Sequence, residues 1–173
     1  MITLSIAAIL LTLAVPSFTD FTKNNRLITQ TNDFVTSLNL ARSEAVRRGD
    51  RVTVCKSSDQ ATCAASGTWD QGWIVFADVN GNGVVTNAAT NILRVHAGLS
   101  GSVVLKSSAL PSYVSYVSSG ATQQIGSFTT QSGLLAMCDD RGLISNAEGI
   151  QISATGRVSS GSLTGIAGVS CSP

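Results

Sequence analysis

The sequence predicts an α+β fold, with one long N-terminal helix packed against two small, mostly antiparallel β-sheets. Three observations lead there. An uncharged apolar stretch, residues 2–15, passes directly into an amphipathic segment that runs to about residue 48. Beyond about residue 50 the composition turns to Ser, Thr, Gly and Val, which suits short strands joined by turns. Four cysteines, an even number, all lie in that second part. At 173 residues the chain has room for one globular domain and an extended element.

The helix is read from Ile2 onward. Ile2, Leu4, Ile6, Ile9, Leu10, Leu13 and Val15 surround the axis instead of forming a stripe, and Pro16 is the first proline. A proline inside a helix removes a backbone donor and clashes with the preceding turn, so a kink is expected near Ala14–Phe18. Asp20, Lys23, Asn24, Asn25 and Arg26 follow at once, so the apolar block stops where water should begin. Leu27, Thr31, Phe34, Leu38, Ala41 and Ala45 then recur at steps of four and three, which places them on one face. Arg47 and Arg48 suit the negative helix end, and Gly49 suits a left-handed cap. A helix over 2–48 would be about 70 Å long at ~1.5 Å per residue. A domain of the remaining size does not need that length for its own core.

Three readings meet residues 2–15. A cleavable signal peptide would bring a basic start and an A-x-A-like site, and the helix would not continue past it. A buried core helix would show a stripe. A membrane span wants about 20 apolar residues, more than precede Pro16. The membrane reading is carried forward, with its beginning cut short. The domain division that follows is a membrane or filament-core half of the helix, residues 1–25, and a globular domain, residues 26–173.

Strands are expected at Arg51–Lys56, Gly72–Ala77, Ile92–His96, Ser102–Lys106, Tyr113–Ser118, Ser127–Thr130, Leu134–Cys138 and Ile150–Ser153, with a terminal piece near Val169–Cys171. Val52 and Val54 alternate with Arg51 and Thr53, and Ile74 and Phe76 with Trp73 and Val75, the period of a half-buried sheet. Asn80-Gly81, Asn82-Gly83 and Gly142 mark turns.

Cys55, Cys63, Cys138 and Cys171 form no C-x-x-C pair, and one histidine cannot complete a Cys/His zinc set. Disulfides suit an exported chain. Four cysteines allow three connectivities. Cys55–Cys63 with Cys138–Cys171 is the expected one, because each pair closes a local feature, a short loop and the C-terminal tail.

Function by chemistry finds little support. Charged residues are 12%, against roughly 25% in an average soluble domain. A formal charge of +1 points to no partner. Asp78, Asn80, Asn82 and Gly83 imitate the start of a calcium loop, but Ala89 stands where the twelfth-position acid belongs, so a plain hairpin connection is expected. His96 lies in an apparent strand, and no serine has the G-x-S-x-G setting. Asp139 and Asp140 are neighbours on a strand end and point apart, a poor acid/base pair. Arg141-Gly142 reads as a turn with an aspartate–arginine contact. No catalytic residue, metal or cofactor is expected.

The stretch MITLSIAAILLTLAVPSFTDFTKNNRL resembles the N-terminal helix of type IV pilins and type II secretion pseudopilins. Downstream, NDFVTSLNLARSEAVRRGDRVTVC, GTWDQGWIVFADVNGNG, ILRV, CDDRG at 138–142 and ISATGRV at 152–158 resemble the FimT/FimU and GspH subgroup of minor pilins. The resemblance spans essentially the whole chain. It implies a pilin-type helix that waits in the bacterial inner membrane, holds a periplasmic globular domain, and then enters a pilus or pseudopilus. The implied partners are other minor and major pilins or pseudopilins. The family also begins with a basic leader, a prepilin-peptidase site and an early acidic residue. This sequence starts at Met1 inside the run, which implies a mis-assigned start or a truncation. Some FimT-like pilins bind DNA through a GR-x-R arrangement. Gly156-Arg157-Val158-Ser159 keeps the first arginine and replaces the second, so Arg157 is the one candidate DNA contact and DNA is disfavoured as a partner.

Overall fold

The structure is a computed structural model that describes residues 2–142, 146–163 and 171, with side chains described from residue 18. Helix α1 spans Ile2–Arg48. Strands β1 Val52–Lys56, β2 Gly72–Ala77, β3 Ile92–Ala97, β4 Val104–Lys106, β5 Tyr113–Tyr116, β6 Gly133–Cys138, β7 Glu148–Ile152 and β8 Val158–Ser162 follow, with a one-turn helix α2 at Ala88–Asn91 before β3. They form two four-stranded sheets, in the orders β3-β2-β1-β5 and β4-β6-β7-β8. Every pairing is antiparallel. The fold class is α+β.

Helix α1 ends as its sequence demands. Gly49 takes a positive φ of 71°, and its N–H donates to Ala45 O at 3.0 Å. Arg47 and Arg48 both pair with Glu44 on the preceding turn. The helix continues through Pro16. The side chains of Ile2 to Pro16, expected to serve membrane or filament, lie outside the described residues. Among the described residues no helix is long and apolar enough to cross a membrane.

The stripe of α1 is shared by both sheets. Leu27, Phe34, Leu38, Ala41 and Ala45 are all buried, in one cluster with Val52, Val54, Trp73 and Val75 of the first sheet and Leu135, Met137, Ile150 and Ile152 of the second. Phe34 is its centre. Its ring meets Trp69 edge-on at 5.3 Å and Trp73 edge-on at 4.9 Å, the geometry aromatic quadrupoles favour. Each indole N–H is satisfied: Trp69 Nε1 donates to Leu110 O and Trp73 Nε1 to Ser37 Oγ, both at 2.9 Å.

The strands depart from expectation in three places. The first sheet is buried on both faces, because Cys55, Ile74 and Phe76 pack outward against Val85, Ile92, Tyr113 and Cys63 beneath loops. Ser127–Thr130 is a turn instead of a strand, closed by Gln124 N donating to Thr129 O at 2.8 Å, and Phe128 at its tip is 95% exposed. No apolar alternation supports a strand there. The strand that does form, β8, is Ser- and Gly-rich and carries no alternation to betray it. It exists because β7 offers it a ladder. The terminal piece near Val169–Cys171 lies outside the described residues, apart from Cys171.

Cys55 bonds Cys63 and Cys138 bonds Cys171, with Cα–Cα separations of 5.6 Å in each pair. The short loop is further ordered by Asp59, which accepts from the N–H groups of Ala61 and Thr62 and from the Thr62 hydroxyl. The hydrogen bond from the Thr62 hydroxyl, then the two backbone donors, hold the Asp59 carboxyl well below the usual carboxylate range.

Two stability outcomes follow. Phe34→Ala should cost about 3–5 kcal/mol and red-shift the tryptophan emission, since it opens a cavity between both indoles; a urea melt followed by fluorescence measures both. Replacing Cys138 and Cys171 by serine should cost about 2–5 kcal/mol. Equal melting temperatures with and without reductant would show that this bridge constrains nothing.

Candidate functional site

Three features of the described surface bear on function: a charged clamp where α1 leaves the domain, an apolar face on that part of the helix, and the arginines at the far end.

The clamp grows from Cys138, the last residue of β6, and the turn that follows it to Gly142. Gly142, with φ of 65°, closes a turn by donating to Asp139 O at 3.1 Å. Asp139 is nearly buried and accepts from Arg141 N at 3.1 Å and Arg141 Nε at 2.9 Å. This fixes the guanidinium, whose Nη2 donates to Asn24 Oδ1 at 2.7 Å and whose Nη1 lies 3.6 Å from Asp20. Asp140 pairs with Lys23 at 2.9 Å. A turn is thereby tied to one turn of helix 117 positions earlier in the chain. Burial pushes the Asp139 carboxyl up, but the Arg141 contacts outweigh it and hold it below the ordinary value. Both aspartates are committed to cations, so they form no acid/base pair. The aspartate–arginine contact was legible in the sequence; the helix partners Asp20, Lys23 and Asn24 were not, because nothing local links them.

Outside the clamp, α1 turns apolar side chains away from the domain. Phe18 is 71% exposed, Phe21 63% and Ile28 47%. Steps of three and seven place them on one side of the helix. Leu27 is the first described helix residue that is buried.

The basic residues near the helix end are largely occupied. Arg42 donates to Gly120 O at 3.0 Å and Thr155 O at 3.3 Å. Arg51 binds Ser115 Oγ and the backbone and side chain of Gln123. Lys56 is buried and donates to Gly67 O. Arg157 differs. It stands at the turn between β7 and β8, exposed, with its backbone bonded to Ser153 and its guanidinium without a partner among the described residues. Gly156 beside it is required, since a Cβ there would lie 1.9 Å from Gly120 O.

The remaining candidates are structural. His96 stacks on Trp73 at 3.9 Å, with Nε2 3.6 Å from Asp33. Asp78 spends its carboxylate on the N–H groups of Asn82 and Gly83 and on the Thr53 hydroxyl, so the loop caps itself. Among the described residues no cluster of His, Cys, Asp and Glu could hold a metal.

The sequence profile of the family described as type II transport protein GspH matches residues 30–164. No curated protein sequence gives a match. Among solved structures the fold is similar to the type IV minor pilin FimU of Pseudomonas aeruginosa, seen in two crystal forms. One superposes with a TM-score of 0.63 at 21% identity, covering 88% of this chain and 99% of that one. The other gives 0.58 at 20% identity, covering 82% and 96%. The likeness takes in the long helix and both sheets.

The clamp has an acid signature. Because the folded Asp139 carboxyl sits below its ordinary value near 3.9, its contribution is present above about pH 4 and is lost as pH falls through the folded value. Asp139→Asn should remove that part of the acid dependence, and Arg141→Ala should speed amide exchange at residues 18–26 while leaving residues 34–45 protected. Unchanged exchange at residues 18–26 would mean that the clamp does not hold the helix.

Proposed function

The chain belongs to the GspH family of type II transport proteins, and we propose that it is a minor pilin that enters a type IV pilus through its N-terminal helix and helps initiate assembly. One observation carries this reading. Helix α1 runs from Ile2, whereas among the described side chains the clamp begins at Asp20 and the buried stripe at Leu27. A helix that precedes its own domain by about 27 Å, at ~1.5 Å per residue, is built to be covered by something else.

The physics suits transfer from membrane to filament. A single helix satisfies its own backbone hydrogen bonds, so it can wait in lipid. Burial against neighbouring helices then replaces burial in lipid. In this reading residues 1–25 sit first in the inner membrane and then in the filament core, and residues 26–173 stand in the periplasm and select neighbours. Phe18, Phe21 and Ile28 continue the apolar surface past the point where charges begin.

A type II secretion pseudopilin is the second reading, favoured by the family profile, and it has the same chemistry with different neighbours. A DNA receptor is the third. Its support is the free guanidinium of Arg157; against it, Arg42, Arg51 and Lys56 are spent on internal bonds. Isolated cations contribute little to a phosphate backbone interface.

Removing residues 1–20 should abolish membrane retention and co-assembly with other pilins, while the remaining domain keeps its tryptophan environment. Retained localisation and assembly would overturn the proposal. A DNA titration of the full chain at low and physiological salt should show no binding at either. Micromolar binding that weakens steeply with salt and is lost in Arg157→Ala would move the DNA reading to first place.

A further inference from the structure

Glu148 breaks the pattern of its strand. In β7 the residues that face the helix are Ile150 and Ile152, both fully buried, and Glu148 is next in that alternation. An apolar residue there would extend the core. Instead a carboxylate faces α1, half-buried, with no ion-pair or hydrogen-bond partner among the described residues. Burial pushes this carboxyl up. An ionisable group kept against the packing pattern, without a partner among the described residues, is what a site completed from outside would show.

The surroundings indicate what completes it. Two adjoining clefts of about 180 and 230 Å³ share Glu148 and Ile28. Asn24 and Asn146 line one; Thr31 and Asn32 line the other. The Thr31 hydroxyl is buried and has no hydrogen-bond partner among the described residues. Asn24 Oδ1 is already taken by Arg141, so the Glu148 carboxylate, the Thr31 hydroxyl and the side chains of Asn32 and Asn146 make a polar cleft, and exposed Ile28 supplies an apolar wall. An arginine side chain fits this set: its stem lies on Ile28 and its fork finds the carboxylate.

The chain itself carries such a group at the other end of the same hairpin. Glu148 pairs with Ser162 at the open end of β7 and β8, and Arg157 stands at their turn. Along α1 the two positions correspond to Ile28 and Arg42, about 20 Å apart at ~1.5 Å per residue. The turn is held by Arg42 through Thr155 and by the close approach of Gly156 to Gly120, so the free guanidinium is presented from a fixed platform.

We propose that the Glu148 cleft receives Arg157 of a second copy of this chain, a head-to-tail contact along the helix axis. Such a contact uses a different patch on each copy and leaves one free cleft and one free turn, so it adds further copies, as a ring or an open filament according to its rotation, instead of closing as a twofold dimer. It rests on the assembly reading and adds a residue pair to it. It also gives Arg157 a protein carboxylate as partner where the DNA reading gives it a phosphate.

The test is a charge exchange in the purified full chain in detergent micelles, with self-association followed by sedimentation velocity at low salt. Glu148→Arg and Arg157→Glu should each weaken self-association about tenfold or more, the range expected for a desolvated charge pair. An equimolar mixture of the two variants should recover association, because one supplies an intact Arg157, the other an intact Glu148, and the exchanged charges are again opposite in sign. Glu148→Gln, which preserves shape if the arginine variant misfolds, should weaken association while raising the melting temperature of the chain. Three results would overturn the contact: a wild-type chain that stays monomeric, single variants that associate like wild type, or a mixture that does not recover. Each can occur with helix-dependent co-assembly intact, which separates failure of this contact from failure of the assembly reading.

Discussion

The structure depends on one helix face serving two sheets. Leu27, Phe34, Leu38, Ala41 and Ala45 supply a stripe that joins the inner sides of both sheets in one buried cluster. Phe34 concentrates the dependence: it is fully buried and touches both tryptophans edge-on. Ser37 adds a directional constraint, accepting the Trp73 N–H while donating to Asp33 O. Burial sets the helix in place, and the hydrogen bond sets its rotation.

This sharing separates the two ends of α1. From Leu27 to Ala45 the helix belongs to the domain, and it cannot leave without unfolding it. Before Asp20, in the proposed reading, it is left to be covered by other subunits. The boundary is made by charges, Asp20, Lys23 and Asn24 against the 139–141 turn, in place of more apolar packing. Exposed ion pairs are individually weak, but Arg141 is held by a nearly buried Asp139, which orders the guanidinium before the helix contact forms. The Cys138–Cys171 bond anchors the start of that turn. The arrangement gives the helix a defined exit without adding apolar surface that would compete with assembly.

Much of this was legible in the sequence, for local reasons. The helix bounds follow from periodicity and from Gly49, both of which act over a few residues. Seven strands, β1 to β7, fall within a residue or two of their expected places, where β-branched and aromatic residues crowd between turn signals. What was not legible depends on contacts distant in sequence. Strand β8 has no propensity of its own and exists through its neighbour. Burial of both faces of the first sheet depends on loops whose coverage no alternation records. The clamp partners sit 117 positions apart. Glu148 left one readable signal, since Glu-Gly-Ile-Gln-Ile places an acid in register with two core isoleucines.

The central claim is that the domain holds α1 from Asp20 onward and leaves the preceding part to be buried by other subunits. The most direct measurement is site-specific photo-crosslinking in cells that produce the full chain with the other pilins of its system, comparing probes at Leu10 and at Phe34. Capture of other pilins from Leu10, with only intramolecular products from Phe34, is the expected result. Capture of the same partners from both positions, or none from Leu10 once filaments have formed, would contradict it.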